Sequence, residues 1–302
     1  SEFTNAVTPF TNIAEAALID GYEVWNDRPG ITVFDYDRDG DHDIYVTSEF
    51  GHPNWLHNNQ GDGTFLNMAA IAGVTAESNN STGAVACDIN NDGYQDLYVG
   101  SWGLVRDRLD FRSHLEDSFS RDLLYLNNGD STFKDITSSA FGDSVNFRST
   151  TSVSCADVNG DGWLDIFVGN LMDDEFRFSG SSHAGHYNLL YMNNGDLTFS
   201  EQSAEAGVAG PQIIMRDQDG LPIIYFDPET RKSFEGYDPS ITDAQGNRVG
   251  DPTGQTHAVL FFDHDEDGDP DLWVANDGDR LHVFRNDSTL ERAKFTNVSI
   301  GT

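Results

Sequence analysis

Asp35-Tyr36-Asp37-Arg38-Asp39-Gly40-Asp41-His42-Asp43-Ile44-Tyr45-Val46 is the stretch that decides how this chain folds. Carboxylates alternate, a glycine follows, and a further Asp precedes an apolar run. Carboxylates this close repel one another unless a cation sits among them, and an all-oxygen set of this size suits Ca2+ better than Mg2+. The pattern Asp-x-Asp-x-Asp-Gly-x-x-Asp returns with Asn at its third position in Asp88-x-Asn90-x-Asp92-Gly93-x-x-Asp96 and Asp157-x-Asn159-x-Asp161-Gly162-x-x-Asp165. A last copy is Asp263-x-Asp265-x-Asp267-Gly268-x-x-Asp271. A motif that recurs in this way is the unit of a repeat fold as well as a metal loop.

In such a loop, positions one, three and five offer side-chain oxygens, and position six needs glycine for a left-handed turn. Position seven offers only its carbonyl, which explains why Asp41, Tyr94, Trp163 and Asp269 can all stand there. Position nine supplies the last carboxylate: Asp43, Asp96, Asp165 or Asp271. An EF-hand would need Glu at position twelve and flanking helices. Here that position is Val46, Val99, Val168 or Val274, inside strand-like sequence, so EF-hands are excluded. The expectation is about four Ca2+ sites.

Each loop joins two short apolar runs. Ile31 and Val33 precede the first, as Ala84 and Ala86, Val153 and Cys155, and Val259 and Phe261 precede the others. Ile44-Tyr45-Val46, Leu97-Tyr98-Val99, Ile166-Phe167-Val168 and Leu272-Trp273-Val274 follow, and such runs read as strands. A third element ends in Asn59, Asn128, Asn194 and Asn286, and a fourth starts at Phe65, Phe133, Phe199 and Phe295. Units of four antiparallel strands in series predict an all-β fold of propeller blades over residues 1–302. Insertions at about 102–120, 171–187 and 211–256 interrupt the repeats. The last is read equally as a blade without its metal loop or as an excursion on a binding face. One further copy of the fourth element, Phe10-Thr11-Asn12-Ile13-Ala14-Glu15, precedes the first loop without a hairpin of its own. It implies a degenerate extra blade, or a ring whose other blades lie outside this sequence.

The loops, with Asn58 to Phe65 (Asn-Asn-Gln-Gly-Asp-Gly-Thr-Phe) and Ala72-Gly73-Val74 after the first, resemble FG-GAP/VCBS repeats, and the outer-strand wording is similar to the ASPIC/UnbV group. The resemblance spans most of residues 3–298 outside the insertions. It implies secreted or surface proteins with an integrin-α-like, commonly seven-bladed, β-propeller whose hairpin loops hold calcium. This chain departs from the pattern in having four clear repeats and no C-terminal ASPIC/UnbV domain.

Composition bounds the partners. Against 51 acidic residues stand 17 Lys and Arg, giving a net charge of −34 and a pI near 4.2. Such a surface repels nucleic acid and anionic membranes. Four calcium ions would neutralise only part of it; a saline habitat or a solubility surplus accounts for the rest. Hydrophobic content of 37% argues for a packed protein rather than a disordered one. No apolar run approaches the roughly 18 residues of a membrane span. No leader is visible at Ser1, where Phe3, Thr4 and Asn5 follow without a basic region, so a leader is expected to have been removed or left out. Ser1-Glu2-Phe3 reads as a cloning remnant.

Cys87 and Cys155 sit one and two residues before their leading Asp, so alternation points them to opposite sheet faces. Two buried free thiols are expected, not a disulfide. His183 and His186 have HxxH spacing, and His52, His57 and His257 lie near strand ends, but no HExxH or GxSxG motif accompanies them. They read as surface histidines. Trp102 and Tyr187, on insertions, are candidate sugar-stacking aromatics.

The resulting expectation is a calcium-binding adhesion or binding module located outside the cell, on its surface or in the periplasm. It would take a protein or glycan ligand, and oligomerisation is left open. A polysaccharide lyase or hydrolase on the same scaffold, and a subunit of a larger extracellular assembly, are the alternatives.

Overall fold

A computed structural model describes residues 12, 14–17, 29–102, 121–171, 187–209, 224–227, 232–235, 255–277 and 281–299. Blade 1 consists of β1 (Ile31–Phe34), β2 (Asp43–Val46), β3 (Trp55–Asn59) and β4 (Phe65–Asn67), followed by the short helix α1 (Ala69–Ala72). Blade 2 repeats this as β5 (Ser81–Cys87), β6 (Asp96–Ser101), β7 (Leu123–Asn127), β8 (Phe133–Asp135) and α2 (Thr137–Phe141). Blade 3 is β9 (Thr150–Ala156), β10 (Asp165–Asn170), β11 (Leu189–Asn193), β12 (Phe199–Glu201) and α3 (Ser203–Ala206). A separate two-stranded hairpin, β13 (Ile224–Asp227) and β14 (Lys232–Glu235), precedes blade 4. That blade is β15 (Gln255–Phe261), β16 (Leu272–Asp277), β17 (His282–Asn286) and β18 (Phe295–Asn297).

All pairings within the blades are antiparallel and keep one register. The residue after the ninth loop position faces the residue two before the first: Ile44 with Val33, Leu97 with Ala86, Ile166 with Cys155, Leu272 with Phe261. A slip of one residue would turn every side chain to the wrong face, so the loop fixes the register on which the core depends.

Because strands alternate their side chains, each blade has two apolar faces. Blade 2 shows both. Leu97, Val99, Leu123 and Tyr125 pack with Phe34, Tyr36 and Tyr45 of blade 1. Ile89, Tyr98 and Leu124 pack with Ile166, Val168 and Tyr191 of blade 3. The same rule joins Val158, Phe167 and Leu190 of blade 3 to Leu272, Val274 and Phe284 of blade 4. Each fully buried aromatic or aliphatic side chain contributes about 1.5–3 kcal/mol. The core is therefore a series of seams between blades. Blades 3 and 4 share a seam directly, and β13–β14 is two-stranded, so the described part of 211–256 forms no blade between them.

First strands of successive blades approach closely. A Cβ on Gly83 would meet the Thr151 carbonyl oxygen at 2.6 Å. Threonine hydroxyls cross the same gap: Thr47 donates to the Thr82 carbonyl at 2.7 Å and Thr82 to that of Thr150 at 2.6 Å. The strand directions put all four metal-type loops at one end of the blades. The segments after β6, β10 and β12, where the insertions lie, leave from the other end.

Three expectations are corrected. Cys87 and Cys155 do point to opposite faces of their sheets, but those are the faces that meet at the seam between blades 2 and 3. They form a disulfide, with Cα atoms 6.7 Å apart, and are not free thiols. Trp102 and Tyr187 are 4% and 2% exposed, so neither offers a stacking surface. His57 is buried in β3 and is not a surface histidine, whereas His257 is exposed. His183 and His186 lie outside the described residues, as do most of the three insertions.

A disulfide closing 68 residues constrains the unfolded chain, and its loss costs about 2–4 kcal/mol. The double variant Cys87→Ala/Cys155→Ala should therefore unfold at lower denaturant than the parent and no longer respond to dithiothreitol. Equal midpoints for parent and variant would show that this seam gains nothing from the cross-link.

Candidate metal centre

The four loops share the same pair of backbone bonds to their leading Asp. In the first, both oxygens of Asp35 accept backbone N–H groups, from Asp39 at 3.1 Å and Gly40 at 3.0 Å, and Asp39 accepts from Asp41 at 2.9 Å. The second repeats this from Asp88 to Asp92 and Gly93, at 3.1 and 2.8 Å. Asp157 holds Asp161 and Gly162 at 3.0 and 2.8 Å. Asp263 holds Asp267 and Gly268 at 3.2 and 3.0 Å. The sixth-position glycines have φ between 86° and 101° at Gly93 and Gly268, the extremes of the set, a region costly for side-chain-bearing residues. Position four is left-handed as well: Arg38, Asn91, Gly160 and Glu266 have φ of 59°, 58°, 74° and 63°. Asn91 and Gly160 suit that conformation and signalled it; Arg38 and Glu266 gave no sign.

The ninth-position carboxylates are buried at the base of the loops. One oxygen accepts the N–H of position two and the other that of the third strand's last residue. Asp43 takes Tyr36 at 3.0 Å and Asn59 at 2.8 Å; Asp96 takes Ile89 at 3.0 Å and Asn127 at 2.7 Å. Asp165 binds Val158 and Asn193 at 3.0 and 2.8 Å, and Asp271 binds His264 and Asn286 at 2.9 and 2.7 Å. Burial pushes Asp43 up to about 6 and Asp96 and Asp165 up to about 7, against the N–H bonds that favour their ionised forms. Asp271 differs. Burial acts on it too, but the N–H groups of His264 and Asn286 and the His264 imidazole outweigh it and hold the carboxyl below the usual range. The His264 imidazole, bonded to Asp271, is raised in turn.

The remaining ligand positions divide the loops into two pairs. Oxygens of Asp35, Asp37 and Asp39 lie within 4.8 Å of one another, as do those of Asp263, Asp265 and Asp267. His264, Asp265 and Asp271 converge in the same way. In the second and third loops an amide takes the middle position: Asn90 donates to Asp92 at 2.8 Å and Asn159 to Asp161 at 2.9 Å. In the first loop Asp37 Oδ1 is buried and has no hydrogen-bond partner. Burial, then the charge of Asp39, raises its carboxyl. A buried acceptor without a donor, beside two further carboxylates, fits a hard cation. Position-seven side chains stay outside the cluster. Tyr94 and Trp163 instead cover the turns at Gly129 and Gly195, and the Arg38 guanidinium lies 5.0 Å from the Tyr94 ring centre.

A model of the FG-GAP-like repeat family matches residues 10–99 and 113–168. Cartilage acidic protein 1 of Mus musculus is 27% identical over 202 residues, 67% of this chain and 27% of that protein. The Homo sapiens protein of the same name is 31% identical over 160 residues, 53% of this chain and 21% of its own length. That of Xenopus tropicalis is 28% identical over 205 residues, covering 66% and 28%. The chain thus spans about a quarter of the length of these relatives. A solved Agrocybe aegerita lectin, described by its specific recognition of non-reducing terminal N-acetylglucosamine, aligns with 94% of this chain and 54% of that one. Its identity is 18% and its TM-score 0.43, too loose a likeness to carry an argument.

The raised carboxyls set a sign for pH dependence. Asp43, Asp96 and Asp165 hold protons in the folded chain at pH values where the unfolded chain has lost them. Their contribution to stability is complete below the unfolded value and is lost as pH rises through about 6 to 7. His57, lowered by burial, acts in the opposite sense below its ordinary range. Asp122, raised to about 7 by burial, Asp37, raised by burial, and His264, raised by its bond to Asp271, act in the same sense as the three carboxyls, so the melting temperature in chelator should be several degrees lower at about pH 8 than at about pH 5. A higher value at the alkaline end would contradict this.

Proposed function

Since this chain carries FG-GAP-like repeats and is homologous to cartilage acidic protein 1, we propose that it is a calcium-stabilised, propeller-type binding module that works outside the cell. The observation that carries the calcium reading is the first loop, where three carboxylates converge and Asp37 Oδ1 is buried without a donor. Asp35, Asp37 and Asp39 would hold the ion with the Asp41 carbonyl, above Asp43; the corresponding residues of the other loops would do the same. The ion supplies positive charge where burial and mutual repulsion disfavour ionised carboxylates. By binding the folded chain alone, it stabilises that chain by mass action.

The Cys87–Cys155 disulfide supports the location, since such bonds persist in oxidising compartments and are rare in reducing ones. No helix among the described residues is long and apolar enough to cross a membrane. The protein or glycan ligand is placed on the end opposite the metal loops, where the connections after β6, β10 and β12 emerge, since variable loops on a rigid scaffold carry recognition.

Calcium should raise the melting temperature saturably after removal of metal with EGTA, and Mg2+ at the same concentration should do so far less. Asp39→Ala should lower the calcium stoichiometry by one in isothermal titration and reduce the shift. A melt indifferent to EGTA and calcium would sink the structural-metal reading.

A further inference from the structure

The fourth loop differs from the other three in the chemistry of its donors. Position two is Tyr36, Ile89 and Val158 in the first three loops, 1%, 2% and 2% exposed and packed where their blade meets the next. In the fourth loop it is His264, which is half-buried and meets the Trp273 ring edge-on, with ring centres 6.3 Å apart. Its Nδ1 is bonded to Asp271 Oδ2, the same oxygen that accepts the His264 backbone N–H at 2.9 Å. Asp271 is fully buried at the base of the loop. His264 thus brings a nitrogen donor to a loop whose other donors are oxygens.

Position three differs as well. In the other loops its side chain is committed within the blade. Asn90 and Asn159 donate to Asp92 and Asp161 at 2.8 and 2.9 Å, and Asp37 accepts the Asn58 amide at 2.9 Å. The counterpart of Asn58 in blade 4 is Arg285, whose guanidinium turns instead to Asp287, at 2.9 and 2.7 Å. The hydrogen bonds of the fourth loop run to Asp263, Asp267 and Asp271, and among the described residues none runs to Asp265. Asp265 therefore belongs to two groups at once. Its carboxylate lies with those of Asp263 and Asp267, and also with His264 and Asp271, the ligand atoms of each group being within 4.8 Å of one another. Among the described residues no other loop has a second group of this kind.

A mixed set of this composition has a preferred partner. Calcium is a hard ion that takes oxygen ligands, whereas Zn2+ and its neighbours in the first transition row accept imidazole nitrogen together with carboxylate oxygen. We propose that the fourth loop selects a zinc-class divalent transition ion over calcium, with His264, Asp265 and Asp271 as its ligands. This rests on the reading of the loops as metal sites and leaves calcium as the ion of the other three, whose position-two side chains are buried between blades. Bound there, the ion ties position two of the loop to the buried carboxylate at its base. Packing on the next blade holds Tyr36, Ile89 and Val158 in the corresponding place.

The test titrates Zn2+ into the metal-stripped chain in the presence of excess Ca2+. Isothermal titration should show one Zn2+ bound that the Ca2+ does not displace, and Co2+ at the same site should give a hyperfine-shifted imidazole proton in the NMR spectrum. His264→Val installs the residue that the third loop already carries, and Asp265→Asn the residue of the second and third. Cooperative melts identify which variant is folded, and either one suffices. Each should weaken Zn2+ binding by more than about 100-fold, since loss of even an outer-shell partner costs about 10–100-fold. His264→Val should also abolish the shifted proton while the rise in melting temperature with Ca2+ persists. Equal Zn2+ affinity and stoichiometry in the parent and a folded variant would overturn the proposal, as would absence of Zn2+ binding or its displacement by Ca2+. Zn2+ binding that depends on His264 in a chain whose melt ignores Ca2+ would uphold this site and remove calcium from the other three.

Discussion

A single buried carboxylate per blade ties the fold together. Asp43, Asp96, Asp165 and Asp271 each accept one N–H from the hairpin loop and one from the end of the third strand. Each such hydrogen bond contributes about 0.5–1.5 kcal/mol while the carboxyl is neutral and about 1.5–3 kcal/mol once it is ionised, which sets the loop against the sheet in either state. The residue that donates from the third strand is an asparagine, and in blades 2 to 4 its side chain reaches the neighbouring loop. Loop, sheet and seam are thereby coupled through two side chains. Desolvation works against the arrangement, as the raised carboxyls of Asp43, Asp96 and Asp165 record. A cation beside them relieves the same strain that the fold imposes, which links the proposed metal to the packing.

The seams explain why the chain can be cross-linked once and still obey alternation. Blades are stacked in one orientation, so the trailing face of one always meets the leading face of the next. Cys87 and Cys155 lie on opposite faces of equivalent sheets and for that reason meet. Identical stacking also leaves Phe262, on the last trailing face described, 57% exposed, while Phe34 at the same position of blade 1 is 2% exposed.

Much of this was legible in the residues. The glycine at position six, the fixed spacing to the ninth-position Asp, and the aromatic residue two after it located all four hairpins. The phenylalanines at 65, 133, 199 and 295 do begin the four outer strands. What was not legible depends on neighbours distant in sequence. The disulfide required knowing which face meets which. Trp102 and Tyr187 read as lying on insertions, yet both are buried, one directly after β6 and the other two residues before β11. The left-handed conformation at Arg38 and Glu266 is imposed by the N–H bonds to the leading Asp, against the local preference of those residues. The split into two carboxylate-rich and two amide-bridged loops was visible as Asp or Asn at position three, but its consequence appears only in the direction of the amide.

Native-state hydrogen exchange at the amides that the ninth-position Asp binds is the most direct measure of whether these carboxylates organise the blades. If they do, the Ile89, Val158, Asn127 and Asn193 amides exchange only through openings as large as those that expose the blade strands. Exchange at those four amides as fast as at the exposed turn residues Gly61 and Asp62 would contradict the account.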